Sequence, residues 1–172
     1  MLMTTIHWAA LAVAVVACIT DLRTRRIPNA LTLGAAVAAL MFHVIADGGS
    51  GVFASAGGWL TGVALFFPLF ALGGLGAGDV KLLGALGAWL GVPSVLLVAM
   101  YSAIAGGLCG VVVAFANGYL RTALHNLAYL LWCWRTVGIK PVEGFTLEHG
   151  NGPRLAYAVP MLTGLLVTLW VR

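Results

Sequence analysis

Residues 4–20 read TTIHWAALAVAVVACIT and are followed at once by DLRTRR, residues 21–26. The first seventeen positions carry no charge, and four charges then fall within six positions. A membrane-spanning helix needs about 20 apolar residues, within a range of about 17–25, and this run has that length. The rest of the chain is of the same kind. Its 172 residues are 62% hydrophobic and 8% charged, with a mean hydropathy of +1.04. A soluble domain is about 25% charged, so a chain with 8% cannot cover a water-facing surface. These figures exclude a soluble enzyme, a disordered tail and a nucleic-acid-binding domain. They leave an all-α integral membrane protein forming one domain over residues 1–172.

Working outward, five further apolar runs follow, over residues 30–45, 52–72, 79–92, 94–116 and 155–170. Asp47-Gly48-Gly49-Ser50-Gly51 breaks the second from the third, and the Gly-rich residues 73–78 break the third from the fourth. The fourth run would rise roughly 20 Å, too short to cross a ~30 Å hydrocarbon core unaided. With six spans, Arg23, Arg25, Arg26, Lys81, Arg121, Arg135, Lys140 and Arg154 fall on one side, and Arg172 alone on the other. Lys and Arg mark the cytoplasmic side, which places both termini outside. The net charge of +4 is a product of that topology and no sign of a nucleic-acid partner. Val15-Val16-Ala17-Cys18 resembles a lipoprotein cleavage box, but no Lys or Arg precedes it, as a signal peptide requires.

Small residues recur every four positions as Ala54, Gly58 and Gly62 and as Ser102, Gly106, Gly110 and Ala114. Both series read as helix-packing faces without chemistry. Residues 117–154 are more polar, and Tyr119 to Trp134 reads as an amphipathic helix in the cytoplasmic interface, in contact with membrane lipid. Residues 138–153 read as a loop. Cys18, Cys109 and Cys133 form no metal or disulfide spacing, and His7, His43, His125 and His149 form no metal-ligand pattern.

Acidic residues are few. Asp47 sits in a turn, and Glu143 and Glu148 in the polar segment. Asp21 ends the first run, where a carboxylate opposes the helix dipole. One reading makes it a surface residue paired with Arg25, one turn on. Asp79 opens the fourth run, and one reading makes it an N-cap. The topology supports a second reading. Asp21 follows span one and Asp79 follows span three, so both emerge on one face at similar depth. Two carboxylates within hydrogen-bond reach cannot both ionise easily and hold one proton between them. The ionised member can activate a water while the other polarises a carbonyl, which is aspartyl-protease chemistry without metal or cofactor.

Asp21-Leu-Arg-Thr-Arg-Arg-Ile27-Pro28-Asn29 resembles the first catalytic motif of the type IV prepilin peptidases, an Asp followed by an IPN tripeptide. Gly76-Ala77-Gly78-Asp79-Val80-Lys81-Leu82 resembles their second, GxGD followed by VKL. Tyr157-Ala158-Val159-Pro160 resembles the P-Y-x-P segment that opens the last span, with Ala156 in place of the first Pro. The resemblance implies an intramembrane aspartyl endopeptidase of the bacterial cytoplasmic membrane. Its substrate would be a prepilin or pseudopilin, cut at the cytoplasmic face to remove a basic leader. Asp21 and Asp79 carry over as the catalytic pair, and Gly76 and Gly78 as the backbone shaping the second motif. Ile27, Pro28, Asn29 and Lys81 match the motifs as supporting residues. Pro28 is expected in the first turn of the second helix.

Long members of that family carry a cytoplasmic domain with paired CxxC motifs near the N-terminus, linked to N-methylation of the trimmed pilin. This sequence begins directly at span one and has no CxxC. It therefore resembles the short, peptidase-only members that serve tight-adherence (Tad/Flp) pili, and no methyltransferase activity is expected. Two competing classes are a small membrane transporter and a non-catalytic scaffold for pilus assembly. No convincing internal repeat favours the transporter, and the intact Asp pair disfavours the scaffold.

Overall fold

The computed structural model describes residues 2–138, 140 and 156–171, and every regular element among them is helical. The expected loop over residues 138–153, with Glu143, Glu148, His149, Arg154 and Arg172, lies almost wholly outside the described residues. The elements are α1 (Leu2–Thr24), α2 (Asn29–Ala71), α3 (Ala77–Leu90), α4 (Val92–Ala116), α5 (Leu120–Val137) and α6 (Ala158–Val171). Three of them, α1, α2 and α4, are long and apolar enough to cross a membrane. Their outward faces carry large apolar side chains, such as Ile45 and Phe53 at 82% exposure. That surface would be costly in water and is at home in lipid.

The expected turn between the second and third runs takes an economical form. Two helical limbs meet at a kink, and only Gly48 leaves helical geometry, at φ 60° and ψ −136°. Glycine adopts this positive φ at no steric cost. The two limbs of α2 fold back on each other: a methyl group at Gly51 would collide with the His43 carbonyl. Leu33, Val37 and Leu40 of the first limb line a cavity shared with Ser55, Ala56 and Trp59 of the second.

α3 is the central post. Val80 and every residue from Leu82 to Trp89 are buried. A helix that is apolar all round belongs inside a bundle, and this explains how so short a helix is held. Its small residues let neighbours approach closely. Gly87 meets Gly58 of α2 backbone to backbone, and Gly62 lies against the Leu83 carbonyl. Behind α3, Ala10, Ala14 and Ala17 of α1, Val95 and Val98 of α4, and Met161 and Leu165 of α6 complete the core.

The small-residue faces are narrower than their spacing suggests. Ala54 and Gly110 are exposed, and a methyl group at Gly110 would meet nothing within 4 Å. The working contacts are Gly58, Gly62 and Gly106, with Gly164 of α6 seated on Ser102 of α4. Among the helices, α5 packs only against α4. It leaves Leu124, Leu127, Leu131 and Trp132 exposed, and its far end is tied by the Trp134 indole N–H donating to the Lys140 carbonyl at 3.0 Å.

Candidate active site

Asp21 lies in the last turn of α1. The Arg25 amide donates to the Asp21 carbonyl at 2.9 Å, closing that turn. Arg25 itself has φ 54°, the left-handed geometry with which many helices end. The chain then passes through residues 26–28 into α2. Pro28, at φ −62° and ψ 134°, is the N-cap of α2, so it precedes the first turn by one residue. Its carbonyl accepts from the amides of Leu31 and Thr32.

The second motif begins earlier than its sequence suggests. Gly76 is the N-cap of α3, and the helix starts at Ala77. Asp79 is therefore the third helical residue rather than the N-cap, and its carboxylate reaches back to accept the Gly76 amide at 3.1 Å. This is the acidic half of a capping box. Gly76 has no side chain to supply the other half. A methyl group on it would sit 3.0 Å from the Asp79 carboxylate oxygen, so the small residue keeps that position free.

The two motifs meet. Ile27 packs on Gly78, where an added methyl group would lie 3.2 Å from the Ile27 Cβ. Asp21 and Asp79 line one cleft of about 290 Å³, with Arg25, Arg26 and Ile27 on one wall and residues 76–78 on the other. Asp21 is 7% exposed, so the surface-residue reading does not hold. A buried carboxylate needs a hydrogen-bond donor. Asp21 finds one 137 positions away, in the Ala158 amide at 3.3 Å.

Asn29 and Lys81 do not line this cleft. They join each other, the Lys81 Nζ donating to the Asn29 Oδ1 at 2.8 Å. With Thr32, Leu33 and Trp59 they line a separate cavity of about 240 Å³. Their bond ties the start of α2 to the second turn of α3, two residues past Asp79. No three His, Cys, Asp or Glu side chains gather into a metal-binding group among the described residues.

Two neighbours of the cleft had no role in the sequence reading. Tyr157 stands at the head of α6, its ring seated on Gly106 and edge-on to Phe66 at 5.7 Å. Its hydroxyl donates to the Ser102 carbonyl at 3.3 Å. Ala158 follows it. The only sequence signal for either was the Tyr157-Ala158-Val159-Pro160 segment, which carries no ionisable pair and no recognisable spacing to Asp21.

Residues 8–111 match the type IV leader peptidase family. Among curated proteins, a prepilin leader peptidase/N-methyltransferase of Neisseria gonorrhoeae is 33% identical over 107 residues, which is 57% of this chain and 36% of the relative. A protein of the same name from Xanthomonas campestris pv. campestris is 43% identical over 54 residues, 31% of this chain and 19% of the relative. The chain thus covers about a third and about a fifth of the lengths of these relatives. No solved structure gives a significant match.

Proposed function

The chain belongs to the type IV leader peptidase family, and from that premise we propose that it is an intramembrane aspartyl endopeptidase that removes leader peptides from prepilins or pseudopilins. The observation that carries the reading is the shared cleft. Two acidic side chains from different helices line it together, within the stretch that matches the family. Asp21 and Asp79 are the proposed catalytic pair.

One carboxylate, ionised, takes a proton from a water as the water oxygen bonds to the scissile carbonyl carbon. The other, protonated, hydrogen-bonds the carbonyl oxygen and then gives its proton to the departing amide nitrogen. The C–N bond breaks, and one water is consumed. Ile27, Gly76 and Gly78 shape the cleft in this reading. Pro28 sets the start of α2, and the Asn29–Lys81 pair braces the two motifs. Arg25 and Arg26 mark the cytoplasmic rim.

Six segments are proposed to span the bacterial inner membrane: α1, the two limbs of α2, α3, α4 and α6. Both termini then face away from the cytoplasm, and α5 lies in the cytoplasmic interface. The substrate reading extends to pilin precursors with a basic leader. The proposal is of cleavage alone, without the N-methylation in the relatives' name.

The test is cleavage of a co-expressed prepilin, read by gel shift and by mass. Wild type, Asp21→Ala, Asp79→Ala and Asp47→Ala are compared at equal membrane levels. The wild type and Asp47→Ala are expected to cut, the other two to leave the leader intact, and the product to lack the added methyl mass. Cleavage at the wild-type rate by either of the other two defeats the dyad. A wild type that cuts nothing in a panel of prepilins and pseudopilins defeats the peptidase reading.

A further inference from the structure

We propose that the head of α6 is a working part of the site: the Ala158 backbone amide is the positioning group that orients Asp21. The inference rests on the peptidase reading and adds a third element to the two motifs. Asp21 lies three residues from the end of α1, where the unpaired carbonyls of its own helix repel a carboxylate. At 7% exposure it also lacks free access to water. A donor from outside α1 would offset both costs.

α6 meets both needs. Its first helical residue is Ala158, whose N–H has no acceptor within the helix and is free for another partner. That amide donates to Oδ2 of Asp21 at 3.3 Å. The same helix end brings the positive pole of its dipole to the carboxylate. One oxygen of a carboxylate that lines the cleft is thereby held.

The holder is itself fixed. Tyr157 bears on Gly106, where a methyl group would lie 2.7 Å from the ring, and on the edge of Phe66. Its hydroxyl reaches the Ser102 carbonyl of α4 at 3.3 Å, and Gly164 seats α6 on Ser102 from below. α6 cannot slide along α4 without breaking these contacts. Its first amide is thus set at one height, opposite Asp21. Asp79 is arranged differently, its amide donor lying three residues away in its own turn. The α6 contact serves Asp21 alone.

Two measurements test this. Tyr157–Ala158 is the only Tyr–Ala pair in the sequence. Labelling with carbonyl-¹³C tyrosine and ¹⁵N-alanine therefore isolates the Ala158 amide as a single resonance in detergent-solubilised protein. The amide proton is expected to move upfield in Asp21→Ala and to stay in place in Asp79→Ala. An unmoved resonance in Asp21→Ala overturns the proposal, whether or not any substrate is cut.

The second measurement is kinetic. Ala158→Pro removes the N–H at a position where proline suits a helix, and Ala158→Gly keeps it. In prepilin cleavage, Ala158→Pro is expected to lower kcat by about ten- to a hundredfold, the scale of one charge-assisted hydrogen bond. KM is expected to stay within about twofold, and Ala158→Gly within about threefold of wild-type kcat. Wild-type kcat in Ala158→Pro overturns the proposal. If Ala158→Pro does not fold, the resonance in Asp21→Ala decides alone. If wild type cuts no prepilin while that resonance still moves, the peptidase reading fails and the α6 contact stands.

Discussion

The two acidic residues of the cleft are held in opposite ways. Asp79 is held from within its own turn: Gly76, three residues earlier, gives its amide to the carboxylate, and both belong to one helix start. Asp21 sits at a helix end that repels it, and its donor comes from the other end of the chain. A local arrangement of the first kind forms with the helix. The second kind exists only once α1, α4 and α6 are packed together. Of the pair, Asp21 is the member whose geometry depends on the whole fold.

The largest effect that bears on this comparison is loss of either carboxylate. Asp21→Asn and Asp79→Asn are each expected to slow cleavage by about 10²–10⁴-fold, the usual weight of a general acid or base. Comparable losses support a pair acting as a unit, and a mild loss in one breaks the symmetry. Next come substitutions that separate the helices. Gly58→Val would force a side chain into the Gly87 backbone, and Gly164→Val into Ser102. Each is expected to cost about 1–3 kcal/mol or more from overpacking, seen as a lower melting temperature in detergent. Gly164→Val, which moves α6, is expected to lower kcat in the surviving folded fraction more than Gly58→Val does.

A smaller effect is expected from Gly76→Ala, which places a methyl group 3.0 Å from the Asp79 carboxylate oxygen. Cleavage should fall about three- to tenfold, less than the roughly hundredfold that a full 1 Å misplacement can cost. The smallest is Lys81→Gln. Its bond to Asn29 is solvent-exposed, and exposed contacts of this kind contribute little. Cleavage is expected to stay within about threefold of wild type. A tenfold loss would move Lys81 from bracing residue to member of the cleft.

The same contrast separates what was legible in the sequence from what was not. The all-α membrane class follows from the hydropathy, and the fold-back near Gly48 from the glycines beside Asp47. Asp79's neighbourhood was legible because it is local, although the helix begins two residues before the position expected. Asp is a common N-cap, and here it serves equally well from the third position by reaching back to a glycine amide. The burial of α3 was only half legible. Its apolar, small-residue composition was plain, but its place at the centre depends on partners from four other helices. Asp21's donor was legible only as a member of the Tyr157–Pro160 segment and not as a donor, because a backbone amide has no signature in sequence and this one lies 137 positions away. The regular spacing of Gly110 with Gly106 misled for the same reason: spacing states which residues share a face, not which faces find a partner.

The central helix has a consequence for the route of water. At 1.5 Å per residue, α3 rises about 21 Å, while α1 and α4 rise roughly 35 and 38 Å. α3 is buried among its neighbours, so its shortfall is a recess within the bundle and not a step against the surrounding lipid. Under the proposed topology that recess opens to the cytoplasm beside the two carboxylates, and it brings them hydrolytic water without a channel through the protein.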